Sequence, residues 1–163
     1  MATKIHCPKL KELTDHLEPL MARATAVKAS AAPNKFADKC ITARYVMRDD
    51  KIAAVCQVDL ELAAFLGAAL ALVPAGAAQD AAKEGDLGSN LTDAFCEVVN
   101  ILAGVLCVDG APHVRWVDIA KGIGSVPADA KAVLAKPCDR VDVVVDIEGY
   151  GGGKLSILTA KIG

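Results

Sequence analysis

The stretch Leu91-Thr92-Asp93-Ala94-Phe95-Cys96-Glu97-Val98-Val99-Asn100-Ile101-Leu102-Ala103-Gly104-Val105-Leu106-Cys107-Val108 decides how this chain is read. On a helical wheel at about 100° per residue it divides into two faces. Leu91, Phe95, Val98, Val99, Leu102, Val105 and Leu106 cluster on one side, the expected core face. Asp93, Glu97, Asn100 and Gly104 form a narrow stripe opposite, bordered by Ala94, Cys96, Ile101 and Ala103. A merely solvated helix would usually carry Lys, Glu or Gln at those borders. Asn within a helix costs some tenths of a kcal/mol against Ala, roughly 0.7 at most, so Asn100 calls for a reason. Gly104, one turn on, suggests close approach of a neighbouring backbone. The stripe has two readings: it keeps the outer face wet, or a carboxylate and a carboxamide project side by side from a rigid helix to pair with a partner's cation and orient a water.

The flanking segments supply a sheet for this helix to pack on. Leu10, Leu13, Leu17, Leu20 and Met21 predict an opening helix over Lys9 to Arg23, kinked or restarted at Pro19, and Ala24 to Ala29 reads as a strand. Ala31 to Asp38 reads as a loop. Cys40 to Met47 and Ile52 to Val58 are β-prone runs joined by the polar turn Arg48-Asp49-Asp50-Lys51, a hairpin signal. Asp59 is placed to cap a helix through Leu60, Ala63, Leu66, Leu70 and Val73, which Pro74 ends. A short helix around Ala77 to Lys83 follows, and Ser89 or Asn90 is expected to cap the central helix. Beyond it come a strand at Val114 to Ala120, a short helix at Ala128 to Ala135 opened by Pro127, and strands at Val141 to Ile147 and Lys154 to Ile162. This order predicts an α+β fold, an antiparallel or mixed β-sheet with two long helices packed on it.

At 163 residues the chain is expected to form a single domain, 1–163, able to bury a core without metals or disulfides. The net charge of −2 and the lack of clustered Lys and Arg argue against nucleic-acid and membrane-surface partners. The run from Leu62 to Ala78 is Ala-rich and is broken by Pro74 short of the about 18 residues that suggest a bilayer span. Lys4, His6, Lys9, Lys11 and Glu12 stand where a secretory leader would be apolar, so a cytoplasmic protein is expected.

Other residues carry less. Cys7, Cys40, Cys56, Cys96, Cys107 and Cys138 show no C-x-x-C pair and no His at zinc-ligand spacing, so they read as free thiols and no metal site is expected. His6, His16 and His113 lack a local partner for nucleophilic catalysis, and Trp116 reads as a half-buried strand aromatic. Glu148-Gly149-Tyr150-Gly151-Gly152-Gly153 precedes a strand rather than a helix, so it reads as a hairpin loop and not as a phosphate cradle. Asp142 and Asp146 alternate with Val141, Val143 and Val145, the outer face of a strand. No internal repeat is visible in the sequence.

The pattern Asp93-x-x-x-Glu97-x-x-Asn100 followed by Ile101-Leu102-Ala103-Gly104 resembles the motif helix of the CheC, CheX and FliY phosphatases of phosphorylated CheY, and it is closest to the CheX branch. The resemblance extends more loosely from about Ile52 to Ala120. It implies a CheC-like fold and a phosphatase acting on the aspartyl phosphate of a CheY-type response regulator. In that family the motif's acidic residue contacts a lysine in the regulator's active site and the Asn orients the attacking water. Those catalytic roles would fall to Glu97 and Asn100, with Asp93, Cys96, Ile101 and Gly104 forming the surrounding partner-binding surface. No cofactor of its own is implied, because Mg²⁺ would be carried by the response regulator.

The chain departs from the family pattern at Gly122, where the motif carries a proline, the nearest prolines here being Pro112 and Pro127. A second motif copy is missing, since Glu18 is followed three residues later by Met21. The alternative expectation is a non-catalytic CheC-like module for binding or dimerisation in chemotaxis or flagellar signalling, and homodimerisation is left open under both.

Overall fold

The structure, a computed structural model, describes residues 4–162. Its frame is a six-stranded, wholly antiparallel sheet built from β1 (Thr25–Ala29), β2 (Ile41–Met47), β3 (Ile52–Val58), β4 (Val114–Lys121), β5 (Arg140–Ile147) and β6 (Gly151–Thr159). The helices are α1 (Leu10–Met21), α2 (Leu60–Ala71), α3 (Ala75–Glu84), α4 (Gly88–Leu102) and α5 (Ala128–Ala135), with a 3-10 turn at Ala103–Val105 extending α4. The α+β expectation holds, and the sheet is antiparallel rather than mixed.

The strand order is β1-β5-β6-β3-β2-β4. Exchanging β1, β2 and β3 for β4, β5 and β6 reproduces the same order read backwards, and each half opens with a helix, α1 before β1 and α4 before β4. The topology therefore carries a two-fold repeat that residue identities do not. Neighbouring antiparallel strands need only matching face patterns to preserve such a repeat, so the sequence is free to drift.

The main core lies between one face of the sheet and helices α1, α2 and α4. Leu13, Leu17 and Met21 of α1 and Leu91, Phe95, Val98, Val99 and Leu102 of α4 are buried at helical spacing. In α2 every residue from Leu62 to Ala69 is buried, because α3, α4, α1 and β6 all pack against it. A helix apolar all round is the expected composition for that position. Leu72 closes α2 at φ +58, and the Val73 N–H reaches back to the Ala68 carbonyl at 2.8 Å, so the helix ends at Ala71, before Val73 and ahead of Pro74.

Several sequence expectations need correction. Asp59 does not cap α2 through its side chain; its Oδ2 accepts the Lys154 N–H at 2.7 Å and ties the helix start to β6. The central helix opens at Gly88, ahead of Ser89 and Asn90, where Asp86 Oδ1 accepts the Gly88 N–H at 3.0 Å. Gly151, Gly152 and Gly153 belong to β6 rather than to the hairpin loop. A Cβ would lie 2.9 Å from the Phe65 ring at Gly151 and 2.9 Å from Leu62 Cβ at Gly153, so these glycines let α2 lie directly on the strand. Asp142 faces away from α1, α2 and α4, but Asn34 of the β1–β2 connection and Ser156 of β6 engage it: its Oδ1 accepts the Asn34 N–H at 3.0 Å and the Ser156 hydroxyl at 2.6 Å. On that same face α5 covers a second apolar cluster including Val55, Val126, Val133 and Leu158.

Candidate functional site

Helix α4 is held against α2 by a near-contact of backbones. A Cβ on Gly67 would lie 2.8 Å from the Leu91 carbonyl oxygen and 3.3 Å from the Phe95 nitrogen, so only glycine permits this spacing. From below, the buried Tyr45 hydroxyl donates to the Val99 carbonyl at 2.6 Å, one residue before Asn100. Phe95, Val98 and Val99 are fully buried. The helix is thus fixed on its inner side, and its outer side is presented on a rigid element.

That outer side displays Asp93, Glu97, Asn100, Ile101 and Gly104, all exposed, while Cys96 is half-buried beside them. Among the described residues, none of the Asp93, Glu97 and Asn100 side chains has a hydrogen-bond or ion-pair partner. The polar groups are therefore free to meet a second molecule. Ile101, 39% exposed, gives the stripe an apolar border.

Gly104 has a different neighbour from the expected backbone. A Cβ there would lie 3.1 Å from His16 Nε2, an imidazole of α1 whose Nδ1 lies 3.1 Å from the Glu12 carbonyl, in donor position. The close approach of backbone belongs to Gly67 instead. Sequence reading passed over His16 because nothing local linked it to α4; only the packing of α1 beside the 3-10 turn brings the two together.

The Cys96 thiol is pushed above its ordinary pKa by burial first and by Asp93 second, with Lys121 acting in the opposite direction. Burial likewise raises Cys7 to about 11 and Cys56 to about 12. These thiols stay protonated at neutral pH and are poor nucleophiles. Among the described residues no group of three or more His, Cys, Asp or Glu side chains is placed to hold a metal ion. The stripe itself is equipped to pair with a cation through Glu97, to position a water or an oxyanion partner through Asn100, and to dock a flat surface around Ile101.

An antiparallel sheet with a two-fold topological repeat, carrying its motif helix on one face, defines the fold type. No protein-family model and no curated protein matches this chain. Solved structures do match in fold. The FliM middle domain from Vibrio alginolyticus is similar with a TM-score of 0.60 at 8% identity, covering 91% of this chain and 86% of that one. FliY from Thermotoga maritima is similar with a TM-score of 0.60 at 12% identity, covering 94% and 85%. CheX in its complex with CheY, BeF3 and Mg²⁺ from Borrelia burgdorferi is similar with a TM-score of 0.50 at 12% identity, covering 93% and 94%. The fold is that of the CheC, CheX and FliM type. No helix among the described residues is long and apolar enough to cross a membrane.

Proposed function

We propose that this protein accelerates hydrolysis of the aspartyl phosphate on a CheY-type response regulator, with Glu97 docking the partner and Asn100 orienting water. The observation that carries this reading is the pair itself: a carboxylate and a carboxamide, exposed together on one rigid helix, without an intramolecular partner among the described residues. The Glu97 carboxylate would pair with a lysine ammonium at the regulator's site. Asn100 Oδ1 would accept a hydrogen bond from water and aim its lone pair at phosphorus. Attack then forms the new P–O bond, the acyl phosphate P–O bond breaks, and inorganic phosphate leaves the regulator's restored carboxylate. The Mg²⁺ that offsets the developing charge belongs to the regulator, so positioning is all this chain supplies. Asp93, Cys96, Ile101 and Gly104 form the surface around the pair.

A second reading is favoured by the fit to the FliM middle domain, whose TM-score of 0.60 is above the 0.50 of CheX: a non-catalytic module that binds a chemotaxis or flagellar component, or a second copy of itself. Rates of phosphate release at varied protein concentration separate the two. Glu97→Ala is expected to raise the half-saturating concentration about tenfold, the cost of one charge-assisted contact, with little change in the maximal rate. Binding to the regulator without any acceleration would support the second reading.

A further inference from the structure

Gly104 is a glycine that its own backbone does not require. It lies in the 3-10 turn Ala103–Val105 and is not among the glycines of positive φ, so an L side chain fits its conformation. Helical turns disfavour glycine against alanine, so the residue calls for another reason. Apart from its chain neighbours and its own helix, a Cβ there would meet one group within 4 Å among the described residues. That group is the His16 imidazole, 3.1 Å away at Nε2 and 3.6 Å away at Cδ2.

The ring is already oriented from its other side. His16 Nδ1 lies 3.1 Å from the Glu12 carbonyl, one turn back on α1. A carbonyl oxygen only accepts, so Nδ1 carries the proton and Nε2 of the neutral ring carries a lone pair. Nε2 has no hydrogen-bond partner among the described residues and is not sealed from solvent. His6 differs, since its Nε2 is spent on the Glu12 carboxylate at 2.9 Å. The window at Gly104 belongs to the exposed side of α4. Gly104 is exposed one turn beyond Asn100, and Ile101 and Val108, 39% and 37% exposed, flank it along the chain. A surface that covers Asn100 and Ile101 and reaches one turn further therefore meets Gly104 and the imidazole edge behind it.

We propose that His16 is an orienting contact for the molecule docked on α4, its Nε2 accepting a hydrogen bond from an N–H or O–H of that partner through the window Gly104 keeps open. The partner, a CheY-type regulator, rests on the function proposed above. A fixed acceptor on α1 gives the docked partner a hold on a second helix, which restrains it from pivoting about α4. The neutral ring selects a donor: a partner's carboxylate or phosphate oxygen at the window would meet a lone pair.

The tautomer is read first, without a partner. In a long-range proton–nitrogen imidazole spectrum of the full chain at alkaline pH, His16 is expected to show a protonated Nδ1 and a bare Nε2; the opposite tautomer would overturn the acceptor. Calorimetry with a beryllofluoride-activated CheY-type regulator then measures binding, and phosphate release from the phosphorylated regulator measures rate. His16→Phe keeps a ring and loses Nε2, and Gly104→Ala fills the window. Each is expected to raise the dissociation constant and the half-saturating concentration about three- to tenfold with the maximal rate unchanged, whereas Lys131→Gln on α5 changes neither. The double variant is expected to match His16→Phe alone, because the window then has nothing left to expose. Unchanged binding in His16→Phe would overturn the contact, and additive losses in the double variant would overturn the role of the window. Binding that depends on His16 without any acceleration by the native chain would remove the phosphatase reading and uphold the contact; absence of binding would overturn the contact.

Discussion

Asn100 sits near the end of α4, one residue past the carbonyl that the Tyr45 hydroxyl holds at 2.6 Å, and its own side chain faces solvent. The residue that costs helix stability is thus mounted next to a carbonyl held from the core, an arrangement that suits a group used for aiming. Asp142 shows how far a residue's surroundings can depart from what alternation implies. Burial raises its pKa, but hydrogen bonds from Arg140, from Ser156 and from the Asn34 backbone outweigh that effect and hold it at about 2. An unfolded Asp titrates near about 3.9, so Asp142 contributes stability that is fully present above that value and is lost as pH falls towards about 2. Urea midpoints measured from pH 6 downward should therefore decline more steeply for the native protein than for Asp142→Asn across that window. Parallel curves would contradict the network.

At the scale of elements, α4 was legible because its buried positions follow the helical period without interruption, and Asp93, Glu97 and Asn100 fall on the opposite side. The ends were less legible. Leu87 precedes the helix where Ser89 or Asn90 looked like caps, because Asp86 satisfies the first free N–H from outside the helix. The glycines of β6 looked like a turn because their use, admitting Phe65 and Leu62 of α2, depends on a helix distant in sequence. Arg44 likewise gave no signal in its strand. It grips Asp118 through Nε at 3.0 Å and Nη2 at 2.7 Å and Asp129 through Nη1 at 2.9 Å, pinning α5 to the far face of the sheet. The seat of α4 on α2 makes the sharpest element-level prediction. Gly67→Ala gains about 1 kcal/mol of helix propensity but drives a methyl into the Leu91 carbonyl, an overpacking cost of about 1–3 kcal/mol. Because a backbone oxygen cannot rotate away, the cost is expected to exceed the gain, giving net destabilisation of about 1–2 kcal/mol in urea unfolding, together with a lower rate of phosphate release as α4 shifts. An unchanged or higher midpoint would show that the two helices can separate at no cost.

For the whole molecule, the two-fold topology places α1 and α4 in corresponding positions, yet only α4 carries the Glu-x-x-Asn pair, since Glu18 is followed by Pro19, Leu20 and Met21. One half of the repeat thus presents the exposed pair and the other packs beside it, bringing His16 against Gly104. The repeat was invisible in the residues because a sheet constrains only the alternation of faces. The candidate site was more legible than the fold's symmetry, since one short helix holds nearly all of it. The most direct measurement is single-turnover phosphate release from phosphorylated CheY-type regulators at saturating protein, comparing the native chain with Asn100→Ala. A protein-dependent acceleration that falls about 100-fold or more in the variant, with binding retained, is the expected result. Equal rates for the native chain and Asn100→Ala would contradict the assignment of water orientation to this side chain.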